Sequence, residues 1–448
     1  MHSTTYGKAF MSQDSKVNDL LPYLFDLVKF ARSKGANGVE FLHTHLLERS
    51  FEVRGAERNN FAPREEQNLS GLLFLENGAS ASFSVNAELR GRHPASIEKA
   101  IVRAAKRPAN PHAGPVGRFD YQAEGIGLTD ARYPSIDDEA YQELTEINRP
   151  SLALQRHHHL QYLDRKLHRL FVSSRDFHAE SSSTFYKLQI ANRLPGLTHP
   201  IQTLACGRAF SHVGSIPFQR DIESRIEALS NTCDAPTKPL PLVLPTRVVA
   251  WLLENLAPAF DVAFGGKSRS FLSQLPDGVL GTRAVHIVDD PGVPGGVRTR
   301  AFDDRGVPPL AVHVVREGKV GNWYQTPESA HKQDIRPTGH FWGGKNQHSN
   351  LILRPGNRSR TQMLTEVPLS LELDHLNGSL DLRTGILNAK GSALLLEKGK
   401  PLGAVHNVQL NLPIQNLLGA VKEIASNQLR YGAVDSATVL TESIPLSA

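Results

Sequence analysis

The chain has 448 residues, 40% hydrophobic and 21% charged, an ordinary balance for a protein that buries real cores, which excludes bulk disorder. At about three times a typical domain length, two or three domains are expected. Fifty Lys and Arg against 45 Asp and Glu leave a net charge of +5, and the basic residues are scattered, without the concentrated face or basic-aromatic runs of a nucleic-acid binder.

The segment from residue 17 to 34 places Leu20, Leu24, Leu27, Val28 and Ala31 at helical spacing before Gly35, which predicts an amphipathic helix. Val39 to Val53 reads as a strand, and strands at 72–76 and 81–85 flank Asn77-Gly78, a strong hairpin signal. A second helix follows, with Pro94 near its start, Ile97, Ala100, Ile101 and Ala104 on one face, and Pro108 as its stop. Residues 108–116 read as a linker. Strand candidates recur within 151–155 and 159–191, and a proline-rich extended connection runs from 234 to 245. A short apolar helix is expected over Arg247–Leu256, then short strands divided by turns, then a last helix over Ile414–Ser426. The fold class is therefore α+β: an N-terminal helix–strand–helix domain (1–107), a mixed middle domain (108–236) and a C-terminal antiparallel, barrel-like β domain with a few helices (237–448).

The longest unbroken apolar run, Val248 to Leu253, is far short of the ~20 residues that cross a bilayer. The first residues show neither a basic start nor an apolar core of a secretory signal. Two cysteines, Cys206 and Cys233, make no disulfide framework and no four-sulfur zinc site. A cytoplasmic protein without a membrane partner is expected.

Nineteen histidines invite a metal hypothesis. His157, His158 and His159 are adjacent, but neighbouring strand residues point to opposite faces, and no acidic residue stands beside them at a zinc-ligand spacing. His331, His340 and His348 follow no ligand pattern. Gly265-Gly266-Lys267-Ser268 lacks the earlier glycine and the preceding strand of a phosphate-binding loop. The acidic pairs Asp289-Asp290 and Asp303-Asp304 suit a divalent cation or acid–base work, yet both precede turn residues, and turn capping explains them. Neither cysteine has a catalytic signature, and no nucleophile elbow is present. The residues alone offer no convincing catalytic set.

An ordered series of short segments nevertheless resembles the TldD/TldE (PmbA-like) family. It comprises Ser268-Arg269-Ser270-Phe271-Leu272, His286 to Pro291, Pro294-Gly295-Gly296, Ala301 to Pro308, Arg316 to Val320, Leu351 to Gly356, Asp381 to Gly385, Gly391-Ser392-Ala393 and Glu397-Lys398-Gly399. Glu57 to Phe61 and Arg64-Glu65-Glu66 resemble its first domain. The series covers nearly the whole chain, loosely over 110–235.

The two branches of that family differ at one place. TldD-type chains carry His-Glu-x-x-x-His on a helix, where the histidines hold zinc and the glutamate activates water. In this chain Glu254 and Ala259 occupy the histidine positions and Asn255 replaces the base, so the motif is degenerate. The resemblance therefore implies a TldE-like subunit with no catalytic residues and no cofactor of its own. Its partner would be a TldD-type chain that supplies the zinc, and the heterodimer would cleave small or unfolded peptides, including precursors of modified peptide natural products. Ser173 to Asp176, in place of an Asn-Ser-x-Gly turn, and the loop around His340 depart from the family pattern and leave room for a specialised biosynthetic role. Phe341 and Trp342, with His340, Asp303 and Asp304, are the expected interface or peptide-binding residues, because an aromatic pair between glycines suits an interface anchor. The alternatives are an adaptor or DNA-associated regulator, and an enzyme using Asp303, Asp304 and His340 on another metal.

Overall fold

Leu24, Leu27, Val28 and Ala31 are buried along one side of α1 (Leu20–Ser33), and the chain leaves the helix through Gly35 at a φ of 101°. This computed structural model describes residues 19–120, 126–195, 199–214, 216–265 and 269–445. Lys267 and Ser268, and with them the end of the rejected phosphate-loop string and the first residue of the family series, lie outside the described residues, as do positions 17 and 18 of the expected first helix.

The strand after α1 is long: β1 runs Gly38–Arg54 and pairs with the short β2 (Glu57–Asn60) and with β3 (Arg64–Phe74). The expected hairpin joins β3 to β4 (Ser80–Asn86), with Gly78 at a φ of 74°. Helix α2 (His93–Ala104) buries Ile97, Ala100 and Ala104, with Pro94 in its first turn.

β5 (His158–Ser173) and β6 (Phe177–Asn192), sixteen residues each, then join the same sheet, with β7 (Ile201–Gly207) at its edge. The strand order is β4-β3-β1-β5-β6-β7, antiparallel throughout, so one sheet draws strands from both sides of position 107/108. Between β5 and β6, Asp176 takes a φ of 54°, the conformation that a glycine fills without cost and that aspartate tolerates. Around residues 151–155 the backbone makes turns rather than the expected strand, and Leu152 is 89% exposed.

The two faces of this sheet have different duties. On one, α1 and α2 cover Phe41, Leu69 and Leu170 at one end. Helices α3 (Asp138–Ile147) and α4 (Phe218–Ser230) cover Phe51, Tyr162 and Leu188 at the other. The opposite face meets the C-terminal region through Leu42, Phe171 and Ala179, packed on Phe302 and Val307.

That region holds two six-stranded sheets. One has the order β17 (Lys400–Pro413), β16 (Ile386–Glu397), β15 (Leu369–Leu380), β8 (Leu240–Leu244), β21 (Val439–Ile444), β18 (Val421–Ile424). The other runs β11 (Lys319–Val320), β10 (Val312–Arg316), β9 (Ile287–Asp289), β14 (Leu351–Leu353), β20 (Val434–Ser436), β19 (Leu429–Tyr431), and β12 (Phe341–Trp342) with β13 (Lys345–Asn346) forms a separate hairpin. Among the described residues neither closes into a barrel. Parallel pairs β8/β15 and β14/β20 interrupt the expected antiparallel run, and α5 (Thr246–Leu256) lies between the sheets with Val248, Val249, Leu252, Leu253 and Leu256 all buried. The expected last helix stops at Gly419, and Val421–Ile424 pairs with β21 as a strand instead. The β-branched Val421 and Ile424 bury themselves in that strand, and the edge pairing overrides the helical period.

The segment expected as a linker, 108–116, is a fixed strap. The Val116 N–H donates to Glu40 Oε1 at 2.6 Å, and the Gly114 carbonyl accepts from Arg305 at 3.1 Å. Arg305 itself pairs with Glu40 and, at 2.6 Å, with Glu328. Arg305 and Glu40 are both nearly inaccessible to water, and removing one member of such a pair leaves a buried charge uncompensated. Glu40→Gln should therefore lower the unfolding free energy by about 3 kcal/mol in urea titrations, and a midpoint unchanged from wild type would show that the clamp contributes nothing.

Candidate functional site

Almost every side of α5 is buried, so the direction of its last turn is fixed, and Glu254 emerges from it about 40% exposed. Burial pushes the Glu254 carboxyl above the ordinary range, against the pull of Arg298, whose Nη2 lies 3.8 Å from Oε1. The Asn255 amide turns back and donates to the Trp251 carbonyl of its own helix at 2.8 Å. Ala259 is fully buried in the core. A divalent cation does not fit this arrangement. One of the three positions is packed away, one is committed to its helix, and the third faces a guanidinium that already supplies the positive charge. Among the described residues no three His, Cys, Asp or Glu side chains converge as a metal site.

Arg298 is itself held. Its Nη1 donates to His348 Nε2 at 2.6 Å, while His348 Nδ1 bonds the Ser349 carbonyl at 3.1 Å. Burial, aided by Arg298, pushes the His348 ring down to about 3, so it is neutral and one nitrogen is free to accept. Across the gap from α5 stands Cys206 of β7. Burial, with the negative charge of Glu254, pushes its thiol up to about 11, which removes it as a nucleophile near neutral pH.

Behind Arg298 lies Asp289, with no exposure to solvent. Its carboxylate accepts the Ser349 N–H at 2.9 Å and the Ser349 hydroxyl, and His340 Nε2 lies 3.5 Å away. Burial alone would raise its pKa, but His340, His348 and Ser349 outweigh it and hold the carboxyl well below the ordinary range. The His340 ring stacks on Tyr324 at 4.6 Å, and its Nδ1 bonds the Thr338 carbonyl at 2.8 Å.

Asp303 is consumed by main-chain donors, and Asp304 by one main-chain donor and the Arg169 guanidinium. Asp303 accepts the N–H groups of Arg305 (2.8 Å), Val307 (3.0 Å) and Phe341 (3.1 Å). Asp304 accepts Gly343 N–H at 2.6 Å and Arg169 Nη2 at 2.5 Å. Gly306 completes this turn at a φ of 71°, where any Cβ would stand 2.4 Å from the Phe171 ring. The two aspartates therefore fasten a hairpin, Phe341–Asn346, onto the sheet, and His340 faces Asp289 rather than either of them. Trp342 at its tip is half-buried under the guanidinium of Arg169, 4.2 Å from the ring centroid, with Arg300 at 5.4 Å. Phe341 is half-buried beside it.

The remaining sequence candidates are local. His158 is buried and its ring pushed down to about 4 by desolvation, whereas His159 meets Glu52 at 3.1 Å. His331 packs on His112. Asp290 caps its turn through the Gly292 N–H at 2.8 Å.

A group of cations belongs to no sequence motif. Arg165 and Lys187 project from the face of β5 and β6 that also carries Cys206, since Arg165 pairs in register with Phe185, Leu163 with Lys187, and Lys187 with Cys206. Arg298 and Arg300 approach from the C-terminal region. The only signal in the sequence is the even spacing of Arg165 and Arg169 along one strand.

Two outcomes follow from these geometries. Metal analysis of the purified chain should give no stoichiometric zinc, and one tightly held zinc per chain would overturn the reading of Glu254 and Ala259. Asp289→Asn should cost about 2 kcal/mol near neutral pH by leaving its donors poorly matched. A depressed folded-state pKa gives stability that is full above the unfolded value near 4 and fades only as the pH falls below it. The gap between variant and wild type in denaturant should therefore narrow in acid, and a constant gap would exclude Asp289 as its source.

Comparison with known proteins places this geometry. Residues 237–447 match the family model of the PmbA/TldA metallopeptidase C-terminal domain. A proposed modulator of DNA gyrase from Bacteroides thetaiotaomicron superposes with a TM-score of 0.84 at 16% identity, over 95% of this chain and 98% of the other. A second such protein, from Thermotoga maritima, gives 0.82 at 17%, over 96% and 100%. TldE from Thermococcus kodakarensis gives 0.81 at 16%, over 95% and 100%. At these identities the likeness shows the fold. No curated protein sequence matches the chain.

Proposed function

We propose that this chain, which belongs to the PmbA/TldD family, is a TldE-like subunit without its own catalytic centre. It would complete the peptide cavity of a metallopeptidase whose zinc is held by a TldD-type partner. The observation that carries the reading is the last turn of α5 and the tight turn after it (Ala257–Phe260), where Glu254 faces Arg298, Asn255 bonds its own helix and Ala259 is buried. A fold built around that helix is retained while the residues that would do metal chemistry on it are not. No helix among the described residues is long and apolar enough to cross a membrane.

Peptides that are small or unfolded suit such a cavity, and removal of a leader from a modified peptide precursor is one use of it. Phe341 and Trp342, half-buried at the tip of a pinned hairpin, are the proposed contacts to the partner or the peptide. The hairpin is held by Asp303 and Asp304, so these aspartates act by positioning. His340 lies behind it, against Asp289.

A mixing titration tests the reading. Alone, the chain should hydrolyse no unstructured peptide, and a TldD-type partner should be nearly inactive without it. Turnover should rise on mixing and level off at a fixed ratio, because holding a peptide in line for attack accounts for several kcal/mol of a barrier. Full activity of the partner alone would end the subunit reading.

A further inference from the structure

The sheet face that meets the C-terminal region is covered only in part. At one end Phe171 and Arg169 are packed under Phe302 and the hairpin. At the other, Cys206 faces Glu254 across the gap. Between them Leu163, Arg165, Leu167, Phe185 and Lys187 stay partly exposed. Apolar side chains alternate here with cations, and Arg165 spreads over the Phe185 ring at 5.4 Å while reaching Glu48 at 3.0 Å.

The cations on this face have donors to spare. Nε of Arg165 and Nε of Arg300 meet no acceptor among the described residues, although both atoms are shielded from solvent. Both guanidinium groups act electrostatically on the same neighbour, Arg208, so they border one region. Arg298 adds a third, about 40% exposed beyond its contact with His348. Asp289, Asp303 and Asp304 lie near Arg300 and reduce the field, but Asp303 and Asp304 are turned to the N–H groups of their own hairpin and Asp289 to Ser349. They leave the Nε donors unfilled. Shielded donors without acceptors are costly, and a carboxylate is the acceptor that an arginine matches best.

We propose that this open face, with Arg165, Lys187, Arg298 and Arg300 around Leu163 and Phe185, binds an extended peptide segment whose every second side chain faces the sheet, these facing side chains being acidic and apolar by turns. The alternation is between facing positions, two residues apart in the peptide, because cations and apolar residues alternate in that way on the strands beneath. The proposal deepens the peptide-cavity reading and rests on it for the source of the peptide, while its test needs only this chain.

Fluorescence anisotropy of a labelled, unstructured peptide that repeats Glu-Ser-Leu-Ser, so that Glu and Leu alternate on one side of the extended chain, is the probe, against the same peptide with Gln for every Glu. The acidic peptide should bind the full chain at least about tenfold more tightly, a difference of roughly 1.4 kcal/mol, and the preference should shrink as salt screens it. The pair Arg165→Glu and Lys187→Glu should abolish the preference. Lys29→Glu with Lys99→Glu, the same charge change on the helices of the opposite face, should not. If the first pair lowers thermal stability, Lys187→Gln alone should still reduce the preference at unchanged melting temperature. Equal binding of both peptides, or equal loss in both double variants, overturns the proposal. So does tighter binding of a single-stranded oligonucleotide of equal charge, which would make the face a general polyanion surface. Binding with this preference but no turnover on mixing with a TldD-type chain would sink the subunit reading alone. Turnover without the preference would sink this inference alone.

Discussion

Everything on the functional side of this protein depends on Arg305 being buried against Glu40. A guanidinium and a carboxylate withdrawn from water are tolerated only when nearly every donor and acceptor is met, and here Glu328, the Gly114 carbonyl and the Val116 N–H complete the set. The pair joins residue 305 of the C-terminal region to β1 of the N-terminal sheet. It also recruits residues 114–116, which would otherwise be slack chain. Two amino acids before it, Asp303 organises the turn that carries the aromatic hairpin.

The far end of the same loop is held differently. Arg208 donates to the carbonyls of Thr184, Gly296 and Thr299, and no carboxylate among the described residues pairs with it. Burial lowers its pKa to about 10, with Arg300 as the next cause, yet it stays charged near neutral pH. Arg298 and Arg300 lie between these two anchorages. They are presented to the sheet face by a segment fixed at both ends, so their positions need little ordering when a ligand arrives. The charges that follow the glycine-rich stretch Gly292 to Gly296 are therefore held rigid by what brackets them.

The sequence made the local elements plain and left the tertiary ones hidden. The first helix, the Asn77-Gly78 hairpin and α5 follow from periodicity and turn chemistry that act over a few residues. Neither closure of the β-rich region nor its parallel pairs could be read that way, because β8 and β15 meet across more than a hundred residues of chain. The final helix misled for a related reason. Leu417, Leu418, Val421 and Ile424 fit a helical stripe, but the partner strand β21 claims the last two. At the site, the degenerate residues Glu254, Asn255 and Ala259 were legible from the resemblance alone. The cations were not, since Arg165, Lys187, Arg298 and Arg300 come from separate stretches and become neighbours only through strand register and the two buried anchors.

On the subunit reading proposed above, Glu254 and Arg298 stand where a TldD-type chain would hold its metal. A metal ion would bring a concentrated dication that demands deprotonated ligands and binds or leaves with pH. Arg298 brings one diffuse charge that cannot leave and, being a guanidinium, stays protonated throughout the physiological range. Its anchor His348 is neutral, because burial and Arg298 itself disfavour the imidazolium. Glu254 then sits opposite a constant partner, and Cys206, its thiol raised by burial, adds no charge of its own. The end of α5 thus presents a fixed electrostatic pattern: one acceptor and one donor facing each other, with further donors along the sheet. A peptide main chain offers a donor and an acceptor at every residue, so such a pair can grip it wherever it lies. On the proposed reading, selection among peptides comes from the side chains, and on this face the unfilled groups are cationic.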